Sequence, residues 1–142
     1  MLYFGRSPWL TAQVYALRRT VFVEEQQIPA ALEFDRLDQT CPYYLWLGDN
    51  DQPIATVRYQ LSDPMTVQPD RFCVAAAYRQ QGYGKRLLAF LEERGQRAGA
   101  ERAILLAEIT ASGFYLSCGY QISSAPYLED GIPCVTMLKK LK

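Results

Sequence analysis

Histidine is absent from the 142 residues. That removes Ser-His-Asp and Cys-His catalysis, and histidine-ligated metals, from consideration. Proton transfers must then run through carboxylates, tyrosine, lysine, cysteine or water. Cysteine is sparse and scattered: Cys41, Cys73, Cys118 and Cys134 form no C-x-x-C pair, so neither a zinc site nor a disulfide framework is indicated and free thiols are expected. Charge of one sign is also lacking. Lys and Arg total 15 and Asp and Glu total 15, whereas a nucleic-acid partner would require a basic surplus. No apolar run approaches the roughly 20 residues that span a bilayer, and the N-terminus lacks the apolar core of a signal peptide. The expectation is a cytoplasmic protein with no metal, no membrane partner and no nucleic-acid partner.

What remains is rich in apolar and aromatic residues. The chain is 49% hydrophobic, with 10 Tyr, 6 Phe and 2 Trp, enough for the core of one α/β domain spanning 1–142. Its most organised stretch is RFCVAAAYRQQGYGKRLLAFLEERGQ, Arg71 to Gln96. A β-favouring segment leads through a turn with two glycines into an amphipathic helix, which carries Tyr83, Leu87, Leu88 and Leu91 on one face, reaches about Ala98 and stops at Gly99. Amides at a helix start have no partner inside the helix and sit at the positive end of its dipole, so this layout suits a phosphate.

Upstream, Leu2 to Gly5 reads as a strand. Ser7-Pro8 is a helix start, and Leu10, Val14, Leu17, Val21 and Phe22 continue at helical spacing to about Gln27, with a break near Thr20 and an end marked by Pro29. ALEFDRLDQT has carboxylates at Glu33, Asp35 and Asp38 with no period, and reads as a loop. With Glu24 and Glu25 it forms an acidic region, open to two readings: a solvated loop, or the wall of a site for a cationic amine. CPYYLWLG and IATVRYQL form a hairpin whose second strand carries Arg58, an arginine for the solvated face, for a nearby acid, or for substrate. Downstream, RAILLAEI reads as a strand buried on both faces, and the strand, helix, strand order from Arg71 to Ile109 predicts a right-handed crossover between parallel strands. TASGFYLSC is a short helix, and YQISSAPYL with IPCVTMLKKL closes the chain as a hairpin at Asp130-Gly131.

Arg79-Gln80-Gln81-Gly82-Tyr83-Gly84 is neither the dinucleotide fingerprint nor, with Lys85, a P-loop, since each needs glycines that are missing. It matches Arg/Gln-x-x-Gly-x-Gly/Ala. On that motif, on the strand, turn and helix of RFCVAAAYRQQGYGKRLL, and on ASGFYLSCGY, the chain resembles the GNAT superfamily of N-acetyltransferases. ALRRTVFVEEQQIPAALEFDRLDQ and ATVRYQL resemble a small bacterial subgroup of predicted acetyltransferases, so the likeness covers nearly the whole chain. It implies the GNAT fold: a mixed central sheet of about six or seven strands flanked by helices, with two splayed parallel strands around the cofactor.

The resemblance also implies a chemistry, direct transfer of acetyl from acetyl-CoA to a primary amine in a ternary complex. Gln80, Gln81, Gly82, Tyr83, Gly84 and Lys85 are expected at the pyrophosphate, with charge from Arg79 and Lys85. Cys73, Val74 and Ala75 are expected along pantetheine through their backbone, with an N–H near Val74 facing the acyl oxygen. Tyr115 matches the family tyrosine that protonates the departing thiolate. Glu108 departs from the family, where many members place Asn or Gln; it is expected to accept from a pantetheine amide, to act as base, or to sit as a buried neutral acid. Glu25, Glu33, Asp35 and Glu108 are the base candidates, and Glu33, Asp35 and Arg58 are candidates to contact the acceptor. That acceptor is a small-molecule or peptide amine, with a polyamine, aminoglycoside or lysine side chain as examples; a homodimer is compatible with the chain. Two alternatives stay open: a non-catalytic acyl-CoA-binding module with no use for Tyr115, and an acyl-homoserine-lactone-synthase-like acyltransferase, whose early Arg-x-x-x-Phe and acidic segment resemble Arg18, Phe22 and Glu33 to Asp38.

Overall fold

The computed structural model describes residues 1–141. Along the chain run β1 (Leu2–Gly5), α1 (Pro8–Arg18), α2 (Ala30–Glu33), β2 (Tyr43–Leu47), β3 (Pro53–Arg58), β4 (Leu61–Asp63) and β5 (Thr66–Val67). They are followed by β6 (Asp70–Val74), α3 (Tyr83–Arg97), β7 (Arg102–Glu108), α4 (Ser112–Ser117), β8 (Gln121–Ile122), β9 (Tyr127–Glu129) and β10 (Ile132–Lys140). The chain divides into two compact units: Met1–Gln60 with Arg71–Leu91, and Leu61–Asp70 with the chain from Glu92 onward.

The first unit holds a sheet in the order β1-β2-β3-β6. Its helix α1 begins as the sequence dictates. The Ser7 side chain accepts the Leu10 N–H at 3.3 Å, and Pro8 occupies the first position, where its missing N–H costs nothing. Leu10 and Val14 pack with Tyr43, Leu45 and Leu47 of β2, while Leu17 and Val21 pack with Cys73 of β6. Each such side chain, fully buried, contributes about 1.5–3 kcal/mol. The expected break near Thr20 is instead a widening: Arg19–Glu25 continues as a π-helix, and the Gln26 N–H reaches back to the Val21 carbonyl at 3.1 Å. Gln27, at φ 62°, turns the chain before Pro29.

Two short helical turns replace the expected acidic loop. α2 is one, and Arg36–Gln39 is the other, a 3-10 turn closed by a capping box between Asp35 and Asp38.

In the second unit the order is β4-β5-β7-β10-β8, with β9 also paired to β10. This sheet is mixed: β5 and β7 run parallel, and the other pairs are antiparallel. Three expectations need correction here. IATVRYQL is not one strand, because the chain leaves β3 after Arg58 and enters β4 in the other sheet. The parallel partner of β7 is β5, whereas β6 ends the other sheet, so the helix α3 joins strands that are not neighbours in one sheet. Finally, β7 is not buried on both faces. Ala103, Leu105 and Ala107 point inward, while Leu106 is 56% exposed. An all-apolar run hides that alternation, because period two is visible only when polar residues mark one face. The closing turn holds, with Asp130 at φ 51° and Gly131 at 81°.

Candidate active site

The glycine turn lies between β6 and α3, within the first unit. Helical hydrogen bonding starts where the Arg86 N–H meets the Gly82 carbonyl at 3.2 Å, so the amides before Arg86 at this helix start have no acceptor inside the helix. Gln80 is at φ 62° and Gly82 at 89°, left-handed positions of the kind from which turns build anion-binding concavities of backbone N–H groups. A Cβ added at Gly82 would meet nothing within 4 Å, so that side of the turn is open. Gln81 ties the turn down by donating to the Ala77 carbonyl at 3.1 Å. Tyr83 stacks edge-on against Trp46 at 5.2 Å and Tyr78 at 6.0 Å, and Arg86 lies 4.5 Å over the Trp46 ring, which fixes the start of α3 on β2. Lys85 is exposed.

Arg79 is more committed than an expected phosphate ligand would be. Its Nε donates to the Val74 carbonyl at 2.9 Å, and its two terminal nitrogens donate to the Glu25 carboxylate at 2.6 and 3.0 Å. This fork joins the end of the π-helix to the turn across 54 residues of sequence. The Arg79 hydrogen bond holds Glu25 below the usual carboxylate range, so Glu25 is a weaker base than a free glutamate.

β6 supplies backbone. The Ala75 N–H donates to Ile54 of β3 at 2.7 Å, so alternation along the strand turns the Val74 N–H to the side away from β3. The Val74 carbonyl, bonded to Arg79, faces that same side. Cys73 turns its thiol inward, against Leu17 and Val21, and burial pushes its pKa far up. A thiol so placed is no nucleophile, which argues against a covalent acetyl-cysteine. Cys41, Cys73, Cys118 and Cys134 are all free and buried.

Within the acidic region Glu24 and Glu25 are exposed and Asp35 is half-buried, whereas Glu33 and Asp38 are buried, and the carboxylates of Glu33, Asp35 and Asp38 are all paired with arginines. Arg18, 0% exposed, donates to Glu33 at 2.8 Å and to Asp38 at 2.6 and 3.1 Å. Arg58, 1% exposed, donates to Asp35 at 2.6 Å and Asp38 at 3.1 Å. Arg71 donates to the Glu33 carbonyl at 2.8 Å and to Asp35 at 3.0 Å. Tyr43 donates to Asp38 at 2.6 Å. Three guanidinium groups therefore face three carboxylates, with no charge left over. Burial works against the Asp38 charge, but hydrogen bonds from Arg18, Tyr43 and the Asp35 amide outweigh it and hold the pKa well below the usual range. For Asp35 the contacts from Arg58 and Arg71 likewise outweigh burial. For Glu33 burial prevails over Arg18 and the pKa rises. Glu33, Asp35 and Arg58 are thus bound to one another's network. Sequence reasoning missed Arg18 and Arg71 as its other members. Arg18 had a signal, since it lies four residues after Val14 on the apolar stripe of α1, where a charge needs a buried partner.

The second unit carries Glu108 and Tyr115. Glu108 is half-buried at the end of β7, opposite Cys134 of β10, and its backbone bends there into the 3-10 turn Ile109–Ala111. Tyr115 is half-buried on α4 and contacts Phe114 and Tyr120 edge-on at 5.2 and 6.1 Å. Behind it, Tyr120 donates to Glu92 at 2.8 Å, and Lys139 donates to the other Glu92 oxygen at 2.8 Å. Among the described residues no group of three or more Cys, Asp or Glu is placed to hold a metal ion, and no helix is long and apolar enough to cross a membrane.

The family model for the acetyltransferase (GNAT) domain matches residues 20–141. The chain belongs to the GNAT acetyltransferase family. The uncharacterised protein YyaT of Bacillus subtilis is 39% identical over 128 residues that cover 88% of this chain and 85% of that one. A crystal structure of a candidate N-acetyltransferase from Lactobacillus plantarum superimposes with a TM-score of 0.95 at 39% identity, covering 100% of this chain and 98% of that one. ElaA of Escherichia coli gives 0.85 at 26% identity, over 99% of each chain. The GNAT fold, α/β with a mixed sheet, is therefore the architecture of this chain.

Proposed function

We propose that the protein is an acetyl-CoA-dependent N-acetyltransferase that moves acetyl directly to a primary amine. The observation that carries this reading is the turn Gln80–Lys85, whose left-handed residues and open Gly82 gather N–H groups at the start of α3. Such a turn takes the pyrophosphate of coenzyme A through hydrogen bonds and the helix dipole, with Lys85 adding charge. Pantetheine then extends along β6, and the Val74 N–H is the donor for the acyl oxygen. A donor aimed at the developing oxyanion is worth about 10²–10³ in rate.

Attack by the neutral amine forms the C–N bond and breaks C–S, releasing thiolate. Tyr115 returns a proton to that thiolate. Glu108 takes the proton that the amine must lose, directly or through water. The choice of Glu108 rests on the state of the other candidates: Glu25 and Asp35 are bonded to arginines that stabilise the ionised form and weaken the base, and Glu33 is buried with its carboxylate held by Arg18. The reading needs no cation-binding role for the acidic segment, whose charges are balanced internally.

An amine panel with thiol release as readout tests it. The wild type is expected to turn over at least one amine, and Tyr115→Phe to bind acetyl-CoA normally while losing about 10²–10⁴ in kcat. Binding without turnover of any amine would favour a non-catalytic acyl-CoA module.

A further inference from the structure

β6 contains a conformational oddity next to the site: Arg71 is at φ 47°, a left-handed value that a non-glycine residue adopts under strain. Something must hold it there. Its guanidinium is clamped by the Glu33 carbonyl at 2.8 Å, the Leu32 carbonyl at 3.2 Å and Asp35 at 3.0 Å. Asp35 is itself anchored by Arg58 of β3, the strand beside β6, and Arg58 shares Asp38 with Arg18. The chain of ion pairs therefore runs from α1 through the acidic segment and β3 into β6. Buried ion networks are seldom the most stabilising choice, because well-packed apolar residues often do as well. A geometric role fits this one better.

The strand after Arg71 shows what depends on it. Cys73 faces the core, the Ala75 N–H is bonded to β3, and the Val74 N–H consequently faces the open side. A one-residue change of register would reverse all three, turning the Val74 N–H toward β3 and the Cys73 thiol outward. We infer that Arg71 is a positioning residue for acyl transfer: clamped by Glu33 and Asp35, it holds the left-handed kink that sets where the Val74 N–H meets the thioester carbonyl. This rests on the acetyltransferase reading above, and it gives the acidic segment a task distinct from acceptor binding.

The test uses acetyl-CoA labelled with carbon-13 at the carbonyl, followed by infrared spectroscopy, so it needs no amine. Bound to the wild type, the carbonyl stretch should move to lower frequency than in solution, as a donor polarises it. In Arg71→Ala, Arg71→Gly and Asp35→Asn the shift should shrink by half or more, while calorimetric affinity for coenzyme A stays within about threefold, because the pyrophosphate turn is a separate segment. Arg71→Gly separates the clamp from the backbone conformation, since glycine tolerates the left-handed value. Arg71→Lys keeps the charge without the fork and should recover part of the shift. Where an amine is turned over, kcat should fall about tenfold to a hundredfold in the same variants. A full shift in both Arg71→Gly and Asp35→Asn overturns the inference, as does a loss of coenzyme A affinity in step with the loss of shift, or a wild-type carbonyl that does not move on binding. Absence of any coenzyme A binding by the wild type is a different result, and it removes the acetyltransferase reading itself.

Discussion

Replacing Arg18 by Met keeps most of the side-chain volume and removes one charge from the buried network. Arg18 is fully buried and donates four hydrogen bonds, at 2.8 Å to the Glu33 carboxylate, 2.8 Å to the Glu33 carbonyl, and 2.6 and 3.1 Å to Asp38. The two acids are left in different positions. Asp38 keeps Arg58 at 3.1 Å, Tyr43 at 2.6 Å and the Asp35 amide at 3.0 Å. Glu33 keeps only a longer approach to Arg71, at 3.6 Å, among its ion pairs. Breaking a buried pair by removing one partner costs about 3–5 kcal/mol, so Arg18→Met should fall in that range at pH 7. The loss is concentrated on Glu33, whose pKa burial already raises, and it therefore has a pH signature. A carboxyl whose folded pKa lies above its unfolded value of about 4.3 destabilises the fold when it must ionise, so the penalty is absent below about 4.3, grows as pH rises from there to the raised pKa, and is complete above it. Urea unfolding of wild type, Arg18→Met, Glu33→Gln and the double variant at pH 7 and pH 5 measures this directly. The double variant should lose less than the two single losses combined, because the orphaned charge is gone. A loss under about 1 kcal/mol at pH 7, the size of an exposed pair, would refute the reasoning.

Other consequences can be checked with single substitutions. Glu108→Gln should lower kcat about 10²–10⁴, whereas Glu25→Gln, which removes an exposed pair, should cost under about 1 kcal/mol of stability and leave kcat within a few-fold. Asp38→Asn should flatten acid unfolding. The depressed pKa of Asp38 gives stability that is complete above its unfolded value of about 3.9 and lost as pH falls through the folded one, so the variant and wild type should converge in strong acid. Gly95→Ala should destabilise by about 1–3 kcal/mol in thermal melts despite the better helix propensity of alanine, because its Cβ would stand 2.8 Å from Val67 Cβ.

The parts of the molecule that sequence reasoning reached are those governed by local chemistry. Ser7-Pro8, Gly99 and Asp130-Gly131 punctuate the chain where caps and turns require them. The glycine turn was legible because its backbone takes a left-handed value at Gly82, a conformation that favours glycine at one identifiable place. What escaped depends on partners far apart in sequence. Arg18 meets Asp38 across 20 residues, Arg71 meets Asp35 across 36 and Arg79 meets Glu25 across 54, and no periodicity encodes such pairs. The same limit applies to β7, whose apolar run concealed an exposed face, and to β5, two residues long, which takes the place beside β7 that β6 was expected to hold. The charges of Glu33, Asp35 and Asp38 looked like a surface feature because like charges in a row usually are; three arginines from α1, β3 and β6 make them an internal one.

The central claim is that the turn Gln80–Lys85 holds the pyrophosphate of coenzyme A. Calorimetric titration of acetyl-CoA and of acetyl-pantetheine, which lacks the phosphates, into wild type and Gly82→Val tests it most directly. The account predicts that the wild type binds acetyl-CoA far more tightly than acetyl-pantetheine, and that Gly82→Val, which places a branched side chain at φ 89° on the open side of the turn, erases that difference while remaining folded. Equal binding of the two thioesters by the wild type, or no binding of acetyl-CoA, would contradict it.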